Sequence, residues 1–448
     1  MQETVYRVIE IVCAVVATAP IGTNLGLVHL LWMLVSGRLL ETRGAVIPGL
    51  SATGLSDPAV RRAWAALGQG DWTSAELLAQ WRQQVEQRSE WRVHEHAGYR
   101  PVAVDVTGFW RPRLRGCATT HYHGPAGKAL PAIPLGIIAR VGSVGSQRLG
   151  VPLAFVRAPA DDPRPVAHTD ALVRAAVQAA TGQDVPVFDA GFELRQLQQA
   201  GATRYLVRAA KNVTARRVAL PAYAGHGRPY ARGELVRPLA RTYQGRVVAA
   251  TPPDRVTRWQ EGDAVIRAEH WDTLVLPNTP VAGAVPFHLV VLHDPRWTDP
   301  LVLATTLDVA ARVLRDLYLD RWPIEQLPLA AKQMLGAARA FVSADETCQR
   351  LPELALLAGS ILSILAATLP PVPTGSWDRR PRPTPGRLRR LLNRGLFPTS
   401  FPLPQRLRQK ASVTAHLPTG FWGQRRRPTP ATHASGTSPQ PSPAAAVA

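Results

Sequence analysis

The chain has 448 residues, and 52 Lys and Arg against 32 Asp and Glu give it a formal net charge of +20 at pH 7. This length exceeds one ordinary hydrophobic core and predicts two or three structured units. The three widely separated cysteines exclude a disulfide framework and indicate a reducing, cytoplasmic compartment. The excess of positive charge makes a polyanion, nucleic acid first, the expected partner.

Residues 1–97 are predicted to form a helical domain. Residues 11–37 lack formal charge and are long enough to span a membrane, but Pro20 and neighbouring turn residues divide them into two short apolar segments. We therefore expect two packed core helices and no membrane partner. Binding of DNA ends through a face that includes Arg61 and Arg62 is a hypothesis from position alone.

Residues 98–210 change to short apolar runs that alternate with helical patterns. Strands are predicted at 102–107, 132–141, 152–157, 185–189 and 204–208, and helices at 170–180 and 193–200. This order is typical of a mixed α/β sheet with helices on its faces. Asp105 and Asp189 each lie at the end of an apolar strand. An acid there is costly to bury and needs a partner, most simply a cation.

A third element carries four spaced polar residues: Tyr318, Arg321, Glu325 and Lys332. At about 100° per residue they fall within an arc of about 60°, so a helix would carry them as one stripe. Pro323 is expected to begin or kink the regular part of that helix.

The spacing Y-x2-R-x3-E-x6-K resembles the signature of bacterial insertion-sequence DDE transposases of the cut-and-paste, hairpin-forming group. The strand ending at Asp105-x-Thr107 and the run from Phe188 to Phe192 around Asp189 resemble the first and second acid strands of that family. The resemblance covers roughly residues 102–369. It departs at Ala190, where many relatives carry a basic residue, so a phosphate contact there is not carried over.

The resemblance implies an RNase H-like core in which Asp105, Asp189 and Glu325 hold two Mg²⁺ ions, with Mn²⁺ as a substitute. Such a pair of ions serves in-line phosphoryl transfer. It also implies that four further residues contact DNA: Tyr318, Arg321, Trp322 and Lys332. The implied partners are double-stranded DNA, as element ends and target, and a second copy of the chain in the DNA complex. The expected location is the cytoplasm, in association with the nucleoid.

Residues 211–286 are expected to form a β-rich insertion, after which residues 287–370 return to the core with the catalytic glutamate and a C-terminal helix. Trp259 and Trp271 in the insertion are open to two interpretations, ordinary packing or contact with a flipped base. Residues 371–448 hold thirteen basic residues against the single acid Asp378, together with 14 prolines, and are predicted to be a disordered basic tail.

Two alternatives to a transposase stay open: an RNase H-like nuclease or host-adopted relative, and a non-catalytic DNA-binding derivative. Glu193 is expected to cap the following helix, and Asp320 to pair with an arginine or face solvent. Cys117, His121 and His123 have a spacing that suits no common zinc site. The chain lacks a Gly-x4-Gly-Lys phosphate loop, so no nucleotide cofactor is expected.

Overall fold

A computed structural model gives the fold of the protein and describes residues 2–223 and 225–409. Within the described residues, helices alternate with strands only in the middle, and helices precede and follow this region. The helices are α1 Gln2–Val15, α2 Thr23–Val35, α3 Arg38–Glu41, α4 Val46–Ser51, α5 Asp57–Gln69, α6 Ser74–Glu86, α7 Pro165–Ala179, α8 Leu194–Gln199, α9 Ala311–Leu319, α10 Gln326–Leu329, α11 Asp345–Thr368, α12 Pro385–Asn393 and α13 Gln405–Arg408.

The strands occupy residues 91–305. They are β1 Trp91–Val93, β2 Arg100–Trp110, β3 Thr120–His123, β4 Lys128–Val144, β5 Gln147–Arg157, β6 Asp184–Phe188, β7 Leu206–Arg208, β8 Ala215–Arg217, β9 Leu235–Val236, β10 Arg241–Tyr243, β11 Arg246–Val248, β12 Arg255–Glu261, β13 Ala264–Val275, β14 Phe287–His293 and β15 Leu301–Thr305. The predicted strands and helices of residues 98–210 all appear, most of them longer than the sequence indicates.

Thirteen of these strands form one mixed sheet in the order β1-β4-β2-β6-β7-β15-β14-β13-β8-β9, with β3 and β5 on β4 and β12 on β13. Strands β2, β6 and β7 run parallel to one another, and the other pairs are antiparallel. The predicted mixed sheet flanked by helices is therefore confirmed. Within residues 211–286, β8, β9, β12 and β13 extend the central sheet through the pairing of β13 with β14, whereas β10 and β11 form a separate two-stranded sheet.

The N-terminal helices pack on the sheet rather than standing apart. Helix α2 is almost wholly buried, and its core continues into α11 and into one face of β2 and β4. Helix α6 begins with a capping box: the Thr73 hydroxyl accepts from the Glu76 amide, while the Glu76 carboxylate accepts from the Thr73 amide. This reciprocal pair satisfies two amides that the first turn of α6 would leave unpaired.

Helix α11 is, within the described part of the chain, the one helix long and apolar enough to cross a membrane. In its most apolar stretch of 18 residues, 83% of the stretch is buried against the rest of the protein. This burial is typical of the core helix of a soluble protein, and the uncharged segment of residues 11–37 is likewise packed inside the fold.

The prediction of a disordered tail is wrong for residues 371–409. Leu388, Leu391 and Leu392 on one side of α12 are buried in the core formed by α2 and α11. Arg387 pairs with Asp378 at 2.7 Å, and Arg389 donates to the Met334 carbonyl at 2.9 Å. Burial of leucines at helical spacing stabilises an ordered helix here, although the high content of Pro and Arg is typical of disordered segments. The remaining predicted tail, from Lys410 on, lies outside the described residues.

Replacement of Leu392 by alanine should lower the free energy of unfolding by about 2–5 kcal/mol, because it empties a buried site in this core. Leu396, which is 60% exposed, supplies the matched control, and its alanine variant should lose much less. Urea denaturation followed by circular dichroism measures both. Equal stability of the wild type and both variants would show that α12 does not dock.

Candidate active site

Asp105 and Asp189 lie side by side on parallel strands. The register of β2 and β6 pairs Ala103 with Val187, and two further steps bring Asp105 level with Asp189 just beyond the end of β6. Both acids line one cavity of about 410 Å³ together with His121, His168 and Phe192. The parallel pairing thus brings together two acids that stand 84 positions apart in sequence.

Residues 311–334 form a broken helix, and one break lies at Pro323, where the sequence predicts that the regular helix begins or kinks. Helix α9 ends at Leu319, Pro323 lies in a 3-10 turn from Trp322 to Glu325, and a π-helical turn from Ala330 to Met334 follows α10. Proline removes a backbone donor and favours such a break. The four residues of the predicted stripe nevertheless all turn toward the acids of β2 and β6.

Arg321 lies among the carboxylates. Its guanidinium donates to Glu325 Oε1 at 2.7 Å and lies 3.4 Å from Asp189 Oδ2. The Tyr318 hydroxyl donates to Asp189 Oδ1 at 3.2 Å, and the Arg208 guanidinium lies 3.8 Å from the same oxygen. Arg321 is 4% exposed, so its charge acts in a poorly solvated site. Burial alone would lower its pKa, but the attraction of Asp189 and Asp105 raises it.

Asp105 is costly to ionise. Burial raises its pKa to about 6, and the neighbouring charges of Glu325 and Asp189 act in the same direction. Arg321 and the Val106 amide, which donates at 2.9 Å, oppose this shift only in part. A carboxylate held in this way gains from any added positive charge, because a cation would offset both the burial and the repulsion.

Lys332 contacts the face of β2 that carries Asp105, at Thr107, two residues after Asp105. Its ammonium donates to Thr107 Oγ1 at 2.6 Å and lies 4.5 Å from the centre of the Trp110 ring. Burial lowers its pKa to about 8, although the attraction of Asp105 works against this shift. The structure thus places Lys332 beside the acids, while the Trp322 side chain is largely exposed, at 59%.

The two tryptophans of the predicted insertion differ in their surroundings. Trp271 is 1% exposed, and its indole donates to the Thr251 and Pro252 carbonyls. Packing is therefore the interpretation that the structure supports for Trp271. Trp259 is only partly buried, and its indole nitrogen has no partner within the described residues.

Asp320 pairs with an arginine, which is one of the two environments that the sequence predicts, since its Oδ1 lies 3.5 Å from Arg148. It is 1% exposed, and its Oδ2 lies 2.9 Å from His94 Nδ1 and 2.7 Å from His96 Nε2. Burial alone would raise the pKa of Asp320, but the two histidines lower it below its usual value. The H-x-H pair was missed because 224 positions separate His96 from the acid.

The other polar motifs have structural roles. The Glu193 side chain accepts at the start of α8 and Gln196 reaches back to it, so this acid is a helix cap as predicted. The Cys117 thiol donates to the Thr119 and Ala132 carbonyls, and His123 accepts from the Ala126 amide. Cys117, His121 and His123 do not form a metal-ligand cluster among the described residues.

A comparison with protein-family models finds no match, and neither does a comparison with curated proteins. The arrangement itself must therefore carry the chemistry. The carboxylate oxygens of Asp105, Asp189 and Glu325 create a position where a positive charge is favourable. An arginine and a lysine lie beside these carboxylates. Hard divalent cations and phosphate esters are the species that such a mixed set of groups binds.

Replacement of Asp105 by asparagine should stabilise the fold at pH 7 by about 1–3 kcal/mol, because it removes a carboxylate whose folded-state pKa lies above its unfolded-state value. The penalty is absent below the unfolded pKa and is complete above pH 6. The gain should therefore vanish near pH 4. Urea denaturation across pH 4–8 measures it, with exposed Asp263→Asn as the control. A loss of stability at pH 7 would contradict the assigned environment.

Proposed function

We propose that the protein is a DNA transposase that cuts and joins insertion-sequence ends by metal-dependent phosphoryl transfer on an RNase H-like core. One observation carries the proposal: Asp105, Asp189 and Glu325 come from a central strand, its parallel neighbour and a distant helical segment, and they meet around Arg321. Holding three acids close together destabilises the folded protein. The resemblance of their motifs to the DDE family supplies a functional reason for this arrangement, namely metal binding.

The donor set fits Mg²⁺, with Mn²⁺ as a substitute. Three carboxylates supply oxygen ligands only, and the Arg321 guanidinium shows that positive charge is stable between Asp189 and Glu325. Asp105, Asp189 and Glu325 would hold the ions. Two bound ions would stabilise the attacking and leaving oxygens of an in-line displacement at phosphorus.

The chain's own residues supply positioning and charge. Arg321 is suited to a bidentate grip on a phosphate, once its ion pair with Glu325 gives way to substrate. Tyr318 holds Asp189 in place through its hydroxyl. Lys332, fixed by Thr107, presents a point charge beside the first acid, where a phosphate approaching Asp105 would meet it.

A basic groove beside Lys332 supports a DNA substrate. It has a volume of about 810 Å³ and is lined by Trp110, Arg111, Arg113, Arg339 and Phe341. Phe341 is 71% exposed, which provides a flat apolar surface next to the guanidinium groups. Arginines neutralise the phosphate backbone and exposed aromatic rings stack on unpaired bases, so the groove suits a DNA end.

The proposed assembly is a homodimer in which each subunit serves one element end, working in the cytoplasm in association with the nucleoid. Target DNA would enter the same site after cleavage. The exposed side chains of Arg61 and Arg62 on α5 offer a face for recognition of the ends.

Purified protein with Mg²⁺ should cleave labelled DNA that carries the gene's own flanking ends, and should leave a scrambled duplex intact. Asp189→Asn and Glu325→Gln should each reduce the cleavage rate by about a thousandfold or more, because each removes a carboxylate that would hold the metal ions at the reacting phosphate. Glu193→Gln is the matched control: it lies four residues from Asp189 but caps α8, and its cleavage rate should stay within about twofold.

Cuts on both DNAs that depend on the acids would indicate a nuclease without end recognition. Salt-dependent binding without cleavage by the wild type would indicate a non-catalytic DNA-binding derivative. Cleavage that survives Glu325→Gln would overturn the assignment of the acids.

DNA affinity should fall by about tenfold as the pH rises through 8, since the Lys332 ammonium then loses its proton and a phosphate contact. Lys332→Arg should remove most of that dependence, because a guanidinium stays charged. Fluorescence anisotropy of a labelled duplex between pH 7 and 9 measures it. Lys211→Arg, at an exposed lysine paired with Asp299, should behave like the wild type.

A further inference from the structure

A second cluster of polar groups includes Asp320, the residue that directly precedes Arg321 of the candidate active site. His94, His96 and Asp320 each present one ligand atom, and the three atoms lie within 4.8 Å of one another. In the described part of the chain, no other three His, Cys, Asp or Glu residues come so close. The two rings are 6.4 Å apart at an angle of 77°, so their nitrogens approach the carboxylate from different sides.

The backbone fixes all three residues independently of their side-chain contacts. The His94 amide donates to the Val141 carbonyl on β4 at 3.1 Å, and His96 exchanges two hydrogen bonds with Tyr99 across a tight turn. The Asp320 amide donates to the Asp316 carbonyl at the end of α9. Ligands held by the backbone are the requirement for a preorganised metal site.

The donor types select the ion. Two imidazole nitrogens and one carboxylate oxygen suit a borderline-soft transition metal, whereas Mg²⁺ prefers oxygen ligands alone. Ligand atoms at 2.0–2.1 Å from a tetrahedral zinc ion lie about 3.3 Å apart. The observed separations of 2.7 and 2.9 Å would need to open by only a few tenths of an ångström.

The surroundings leave an entry path and support the carboxylate. The Asp320 side chain is 2% exposed, while those of His94 and His96 are 18% and 27% exposed, so an ion would enter from the histidine side. Arg148 lies 3.5 Å from Asp320 Oδ1, the oxygen that does not face the histidines. Such an outer partner orients a ligating carboxylate, and its own side chain is 57% exposed to solvent.

We propose that His94, His96 and Asp320 form a binding site for a divalent transition-metal ion of the zinc class, distinct from the magnesium centre and completed by solvent. The site would tie the segment after β1 to the end of α9. Because Arg321 directly follows Asp320, the ion would fix the residue that contacts Glu325 and lies beside Asp189. This second site does not depend on the proposed transposase activity.

Equilibrium dialysis of the chelator-stripped full chain against micromolar Zn²⁺, followed by elemental analysis, tests the site. The protein should retain one equivalent of zinc, and the His94→Ala/His96→Ala variant should bind about tenfold or more weakly. His121→Ala/His123→Ala is the matched control and should retain the metal, since this second H-x-H pair forms no metal-ligand cluster with a carboxylate among the described residues. Co²⁺ in place of zinc should give the visible absorption of a nitrogen- and oxygen-ligated ion in the wild type and the control only.

The active-site acids provide a second control. Asp105→Asn/Asp189→Asn/Glu325→Gln should retain its zinc, which separates this site from the proposed magnesium centre. Zinc should also raise the melting temperature of the wild type and leave that of the His94→Ala/His96→Ala variant unchanged. Equal zinc content in the wild type and that variant would overturn the proposal, as would a wild type that retains none. Folding of the variant is verified by circular dichroism, because both histidines are partly exposed.

Discussion

The ion pairs of Arg321 are the interactions on which the candidate site depends. A single buried guanidinium lies within 3.4 Å of Asp189 and 2.7 Å of Glu325, and its charge also lowers the cost of ionising Asp105. Without a cation, three carboxylates would repel one another in a poorly solvated place. The arginine therefore both stabilises the free protein and marks the position where other positive charge is accepted.

The sheet supplies the frame for this charge balance. Parallel pairing of β2 with β6 sets Asp105 level with Asp189, and the broken helix after β15 carries Tyr318, Arg321 and Glu325 over the same edge. Helices α2, α11 and α12 share one hydrophobic core with residues of β2 and β4 and with Ile324 and Leu327, which flank Glu325. This hydrophobic core stabilises a fold that also holds buried acidic groups, whose ionisation is unfavourable. Such a combination is expected where binding or catalysis requires unfavourable groups.

Local pattern sufficed for most elements of the core and for the spacing of the candidate site residues. Asp105 and Asp189 could be singled out because each interrupts an apolar strand, and the Tyr318 to Lys332 spacing places its residues on one side whether the helix is regular or broken. The sequence could not reveal the cluster around Asp320, because that contact joins residues more than 220 positions apart. Charge and proline content misled the prediction for residues 371–409, where three buried leucines decide the outcome.

A crystal structure of the protein bound to DNA of the element end and Mn²⁺, with anomalous diffraction recorded near the manganese edge, tests the central claim most directly. The account predicts anomalous density between Asp105, Asp189 and Glu325, with Arg321 released from Glu325 to a DNA phosphate. Density elsewhere, with the Arg321 to Glu325 pair intact and DNA bound at a distance from the acids, would contradict it.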